Sequence, residues 1–99
     1  MVLQIHSIHF DADQKLLDFI ELKASKLDTF FDKIIGGEVF LRIEKDTKRE
    51  NKIVEFKLLV PKNEIFVKEQ AASFEEATDL AMEVLKKQIK KMKEKLRGE

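Results

Sequence analysis

Apolar positions follow strand spacing in four stretches of this chain and helical spacing in two. Residues 2–10 (VLQIHSIHF) are rich in β-branched and aromatic side chains and predict a first strand. Leu3 and Ile5 share one face and Ile8 and Phe10 the other, which implies a bulge near Ser7. Asp11 and Asp13 then offer N-caps for a helix over about residues 14–31. At about 100° per residue, Leu16, Ile20, Ala24, Leu27 and Phe31 fall on one face of it. Asp18, Glu21, Ser25 and Asp28 fall on another, and Lys15, Lys23 and Lys26 on the flank between. Gly36-Gly37 supplies the backbone freedom for leaving that helix region and turning into the next element.

Residues 38–45 (EVFLRIEK) alternate, with Val39, Leu41 and Ile43 on one face and Phe40, Arg42 and Glu44 on the other. Residues 52–60 (KIVEFKLLV) do the same, with Val54, Phe56, Leu58 and Val60 facing one way. Between them DTKREN is a polar connector that carries Lys48 and Arg49. Val60-Pro61-Lys62-Asn63 reads as a tight turn with proline at its second position, and residues 64–70 as a shorter strand. Three strands on short connections make an antiparallel meander. Ser73 followed three residues later by Glu76 is a capping box, opening a helix that runs to about Leu96. Its apolar stripe is Phe74, Ala77, Thr78, Ala81, Leu85, Gln88, Ile89, Met92 and Leu96. Such a helix spans roughly 35 Å, so its last turns are expected to project past the sheet.

The order is therefore β-α-β-β-β-α. One apolar face per strand and two amphipathic helices predict an α+β fold, a four-stranded sheet with both helices on one face. A right-handed crossover places the first strand parallel to its neighbour. Residues 1–99 are expected to form a single domain.

Composition narrows the chemistry. There is no cysteine, which removes disulfides and thiolate chemistry and fits a reducing compartment. The longest apolar run is a few residues, such as Leu58-Leu59-Val60, and MVLQIHSIHF has no leader pattern. A cytoplasmic location with no membrane partner is expected. His6 and His9, three apart on a strand, point to opposite faces and do not jointly grip a metal. Carboxylates sit on polar helix faces or in connectors, and neither a phosphate loop nor a nucleophile elbow is present. Neither catalysis nor a cofactor is expected.

Charge is the most informative feature. Lys plus Arg and Asp plus Glu both number 19, so net charge is zero. Residues 1–85 carry 12 basic and 17 acidic side chains, net −5, whereas residues 86–99 carry seven basic and two acidic, net +5. One account is complementarity to the helix macrodipole, with Glu75, Glu76, Asp79 and Glu83 in the first turns and lysines in the last. The dipole acts on the terminal turn, however, and this basic run covers about three turns. Lys86, Lys90, Lys93 and Arg97 fall within an arc of about 60°, with Lys87 and Lys91 beside it. A ridge that repels itself calls for an anionic counterpart, most simply a phosphate backbone. Phe30, Phe31, Phe40 and Phe66 are candidates for base stacking, with core packing the plainer role for most. Phe40 and Phe66 lie opposite their strands' main apolar sets.

The segments KLDTFFDKI (residues 26–34), LRIEK (41–45) and LKKQIKKMKEKL (85–96), in this order of elements, resemble the ribosome hibernation-promoting factors. That family includes the ribosome-associated inhibitor and has been described as sigma-54 modulation proteins. The resemblance runs essentially end to end and implies a fold similar to double-stranded-RNA-binding domains. It also implies binding to the small ribosomal subunit, in the channel used by mRNA and by A- and P-site tRNA, under stress, starvation or stationary phase. Some members promote ribosome dimers. Lys23 and Lys26, Arg42 and Lys45 in the second strand, and Lys87, Lys91 and Lys95 match recurrent basic positions of the family. The chain departs from the pattern at Glu75, where the family has Tyr, and at Val84, where a basic residue is common; Lys86 and Lys90 are candidate replacements. A short form of the family is expected from the resemblance at this length.

The expectation is a non-enzymatic, rRNA-binding hibernation factor that regulates translation by steric block. Its partners would be the small subunit and its rRNA, and ribosome dimers in some circumstances, with no DNA. The alternative is a protein–protein adaptor whose basic C-terminal helix docks on an acidic partner.

Overall fold

The computed structural model describes residues 1–45 and 49–96. Lys48 and Arg97 lie outside the described residues. The elements are β1 (Val2–Ser7), α1 (Gln14–Phe30), β2 (Gly36–Ile43), β3 (Lys52–Val60), β4 (Asn63–Ala71) and α2 (Phe74–Leu96). They build one four-stranded sheet in the order β1-β2-β3-β4, with β1 parallel to β2 and the rest antiparallel.

Alternation decides which face is covered. Val39, Leu41, Val54, Phe56, Leu58, Val60, Ile65 and Val67 are buried and share one core with Leu16, Ile20 and Leu27 of α1 and Ala77, Ala81, Leu85 and Ile89 of α2. Both helices thus lie on one face, and the other face is open. The caps explain where the helices begin. The Asp13 carboxylate accepts from the Leu16 N–H at 2.9 Å, and Ser73 Oγ accepts from the Glu76 N–H at 3.1 Å. Only this arm of the expected capping box is made; the Glu76 side chain points to solvent, exposed. Thr78 is fully buried on the helix stripe and donates its hydroxyl to the Phe74 carbonyl at 2.7 Å. Met82 joins the core, while Gln88, which helical spacing puts on the stripe, is exposed.

Three expectations need correction. β1 stops at Ser7 instead of bulging on to Phe10. The Ile8 N–H still donates to the Leu41 carbonyl at 2.9 Å, but His9 adopts a left-handed φ of 64° that turns the chain away. Phe10 then stacks on Phe74, with ring centroids 5.2 Å apart. Gly36 and Gly37 do not serve as the helix exit. The chain leaves α1 through an extended Phe31, and both glycines are strand residues paired with Leu59 and Leu58. A Cβ on Gly37 would stand 2.6 Å from Leu58 Cδ2, so glycine is there for close approach. Finally, β2 ends at Ile43, which leaves Lys45 in the turn beyond the strand.

Candidate nucleic-acid interface

Topology sets where the lysines gather. β1, β2 and β4 run one way, and each helix leaves the end of a strand and runs back beside the sheet. α1 and α2 therefore point the same way. Their capped N-termini lie at the end of the sheet where β1 and β4 finish. Their C-termini lie at the end holding Val2, Gly36 and the β3–β4 turn. Two parallel macrodipoles place about one unit of negative charge at that second end. The net +5 of residues 86–96 exceeds it several-fold. Dipole complementarity accounts for a part of the basic run and leaves a surplus.

One lysine is used inside the fold. Lys93 Nζ donates to the Phe30 carbonyl at 3.1 Å and lies 4.8 Å from the Phe30 ring centroid. α1 has no basic residue in its own last turn, so α2 supplies the cation for both helix ends. Nothing in the helical wheel announces this contact.

The remaining α2 lysines form two flanks and a crown. Lys86 lines a groove of about 290 Å³ between the helices together with Lys23, Lys26, Asp79, Met82 and Glu83. Lys91 and Lys95 line another, of about 370 Å³, against Asn63, Glu64 and Ile65 at the start of β4. Lys87 and Lys90 are exposed between the flanks. Among the described residues, Lys26, Lys45, Lys86, Lys87, Lys90, Lys91 and Lys95 have no carboxylate within 4.0 Å. At the spacing of Lys86 with Lys90, Lys87 with Lys91 and Lys91 with Lys95, like charges cost about 0.2–0.5 kcal/mol per pair. The surface is held in a state that an anion relieves.

The other sequence-derived positions behave differently. Lys23 pairs with Asp79 across the helices at 3.3 Å and lies 5.3 Å from the Phe19 ring centroid, so part of its charge is spent within the fold. Arg42 is on the open face, paired with Glu55 and opposite the buried Ile53. Lys45 is exposed near it, at the end of the sheet where the helices begin. The structure therefore brings Lys23, Lys26 and Lys86 together, and Lys91 with Lys95, but separates Arg42 and Lys45 from both groups.

The open face carries no charge surplus. His6 Nε2 lies 3.0 Å from Glu38 and the His6 ring stacks on Phe40 at 5.0 Å. Phe40 is half-buried by that stack, whereas Phe66 stands 56% exposed. Among the described residues no helix is long and apolar enough to cross a membrane.

Comparison with known proteins places this arrangement. Residues 3–97 match the profile of the sigma 54 modulation protein / S30EA ribosomal protein family. A ribosome hibernation promoting factor of Pseudomonas putida is 30% identical over 95 residues, covering 96% of this chain and 89% of that protein. A ribosome hibernation promotion factor of Deinococcus radiodurans is 30% identical over 94 residues, covering 93% of this chain and 49% of its own length. In structure, a ribosomal subunit interface protein of Coxiella burnetii superposes with a TM-score of 0.84 at 24% identity, over 94% of this chain and 98% of that one. The Thermus thermophilus Protein Y N-terminal domain does so with a TM-score of 0.79 at 22% identity, over 93% and 99%. The matching profile, spanning nearly every described residue, and the shared sheet-and-helix order lead to one assignment: this chain belongs to the sigma 54 modulation protein / S30EA ribosomal protein family.

Proposed function

We propose that this protein binds the small ribosomal subunit through rRNA phosphates and occupies the channel used by mRNA and tRNA, inhibiting translation under stress or starvation. The observation that carries the reading is the surplus of lysines without carboxylate partners on the C-terminal half of α2. A phosphate backbone is the simplest surface that meets such an array, because each neutralised phosphate releases counterions. Lys86, Lys87, Lys90, Lys91 and Lys95 make the main contacts, and Lys26 and Lys23 extend them along the inter-helix groove. Arg42 and Lys45 reach a separate stretch of rRNA from the far end of the sheet. Phosphate contacts of this kind position a protein without reading bases.

Mechanism in this reading is steric. A body of 46 × 23 × 19 Å, with a continuous core, fills a channel and excludes mRNA and tRNA without chemistry. Residues 1–99 act as one ribosome-binding unit in the cytoplasm, where ribosomes are. The test is cosedimentation through a sucrose gradient of subunits, whole ribosomes and ribosome dimers, with and without ribonuclease. Migration with the small subunit and with whole ribosomes, lost on ribonuclease treatment, is the expected result. Capture by a ribonuclease-resistant acidic protein would replace this reading with a protein adaptor.

A further inference from the structure

Phe66 lies outside the buried core, and its surroundings suit a role outside the fold. The ring is on the open face of β4, the edge strand, and is 56% exposed. Covering an aromatic of that size is worth more than leaving it wet, so a partner that stacks on the ring gains by doing so. Lys57 is directly opposite Phe66 in the register, and Lys68 is the next residue on the same face of β4. Lys62 is exposed in the adjoining turn. Two carboxylates share this patch: Glu64, 3.6 Å from Lys57, and Glu55, which is opposite Lys68 in the register and paired with Arg42. On the other side of the same edge strand, Asn63, Glu64 and Ile65 wall the groove that holds Lys91 and Lys95.

We infer that Phe66 is a stacking platform for an unpaired RNA base, on a strand that crosses the β4 edge from the Lys91/Lys95 groove onto the open sheet face. The inference rests on the rRNA reading above and adds to it a contact that phosphate binding alone does not need. Two partners compete for an exposed aromatic. An apolar protein pocket would have to dehydrate Lys57, Lys62 and Lys68 around the ring without supplying anions, which is costly. Single-stranded RNA offers a base to the ring and phosphates to Lys62 and Lys68, which among the described residues have no carboxylate within 4.0 Å, while Lys57 stays paired with Glu64. Phe40, the other aromatic of this face, is already covered by His6 and is not available.

The chain contains no Trp and no Tyr, so Phe66→Trp introduces a single fluorophore at the site. Phe66 is outside the core, so this variant and Phe66→Leu fold, as circular dichroism and melting verify. Two titrations are run on each variant, one with purified small ribosomal subunits and one with a short oligoadenylate. Stacking predicts quenched Trp emission in both, with wild-type affinity retained by Phe66→Trp. Phe66→Leu, which keeps the apolar bulk and loses the π-face, should bind roughly 5- to 150-fold more weakly. Unquenched emission with subunits bound, together with wild-type affinity for Phe66→Leu, overturns the stacking role and leaves the rRNA reading standing. Quenching by oligoadenylate in a protein that does not sediment with subunits upholds the platform and rejects the ribosome as its target. Emission changes that require an acidic peptide and survive ribonuclease overturn the inference in favour of a protein partner.

Discussion

Lys93 Nζ is bound to the Phe30 carbonyl oxygen at 3.1 Å and sits 4.8 Å from the centroid of the Phe30 ring. The contact ties the C-terminal ends of the two parallel helices together, 63 residues apart in sequence. It also sets one lysine of the basic run apart from its neighbours. Lys93 has a structural partner, whereas Lys87 and Lys91 have none among the described residues.

Lys93→Met keeps the stem and removes the cation. A charged hydrogen bond and a helix-end charge together contribute about 1 kcal/mol at this solvent-exposed helix end. For a chain of this size that loss lowers Tm by about 4–8 °C, read by circular dichroism. Affinity for the small subunit should change little. A variant that melts like wild type but loses binding would assign Lys93 to the interface instead.

Gly37→Ala and Gly36→Ala separate close packing from glycine's flexibility. A Cβ on Gly37 meets Leu58 Cδ2 at 2.6 Å and Leu3 Cδ1 at 3.2 Å, and Leu58 is fully buried and cannot yield freely. The expected cost is about 1–3 kcal/mol. A Cβ on Gly36 meets only the Val2 carbonyl oxygen at 3.4 Å, an ordinary contact, so Gly36→Ala should be nearly neutral. Urea midpoints of the two variants check the contrast, and equal midpoints would refute the packing argument.

The elements that sequence reading placed well are those whose signal is local. β3 over Lys52–Val60 sets Val54, Phe56, Leu58 and Val60 on one buried face, and α2 is announced by Ser73 and held to one face by Phe74, Ala77, Ala81, Leu85 and Ile89. The errors arise where tertiary contacts decide. Ile8 and Phe10 look like strand residues, but the left-handed turn at His9 sends Phe10 to stack on Phe74. Gly36-Gly37 looks like punctuation, and only the Leu58 side chain pressed against it reveals a strand. In the candidate interface, the unpaired lysines were legible from the charge run. Which lysines the fold consumes was not, because Lys23–Asp79, Arg42–Glu55 and Lys93–Phe30 each join residues from different elements.

Salt dependence reports how many of the free lysines reach phosphate. With about five contacts, log affinity should fall with log salt at a slope of roughly −3.5 to −4.5. Removing two contacts should reduce its magnitude by about 1.4–1.8. Filter binding of small subunits over a range of potassium concentrations measures both. A nearly flat dependence would contradict phosphate recognition and favour the adaptor.

Lys87→Glu/Lys91→Glu tests the ridge directly. Both side chains are exposed and lie off the core stripe, where substitutions usually cost within about 0.5 kcal/mol each. Losing positive charge near the α2 C-terminus adds about 1 kcal/mol, offset in part because the carboxylate introduced at position 91 attracts Lys95 where Lys91 repelled it. The domain should remain folded at a slightly lower Tm, and cosedimentation with the small subunit should be abolished. The paired control is Glu75→Lys/Glu76→Lys, at the opposite end of the same helix. There the Ser73 cap and the favourable acidic first turn are weakened, so it should melt earlier. Its lysine ridge is untouched, and the folded protein should still sediment with ribosomes and inhibit translation in a cell-free system. Wild-type binding and inhibition by the Lys87/Lys91 variant would reduce the ridge to a solvated helix end, and the rRNA contacts would then have to be sought at Lys23, Lys26, Arg42 and Lys45.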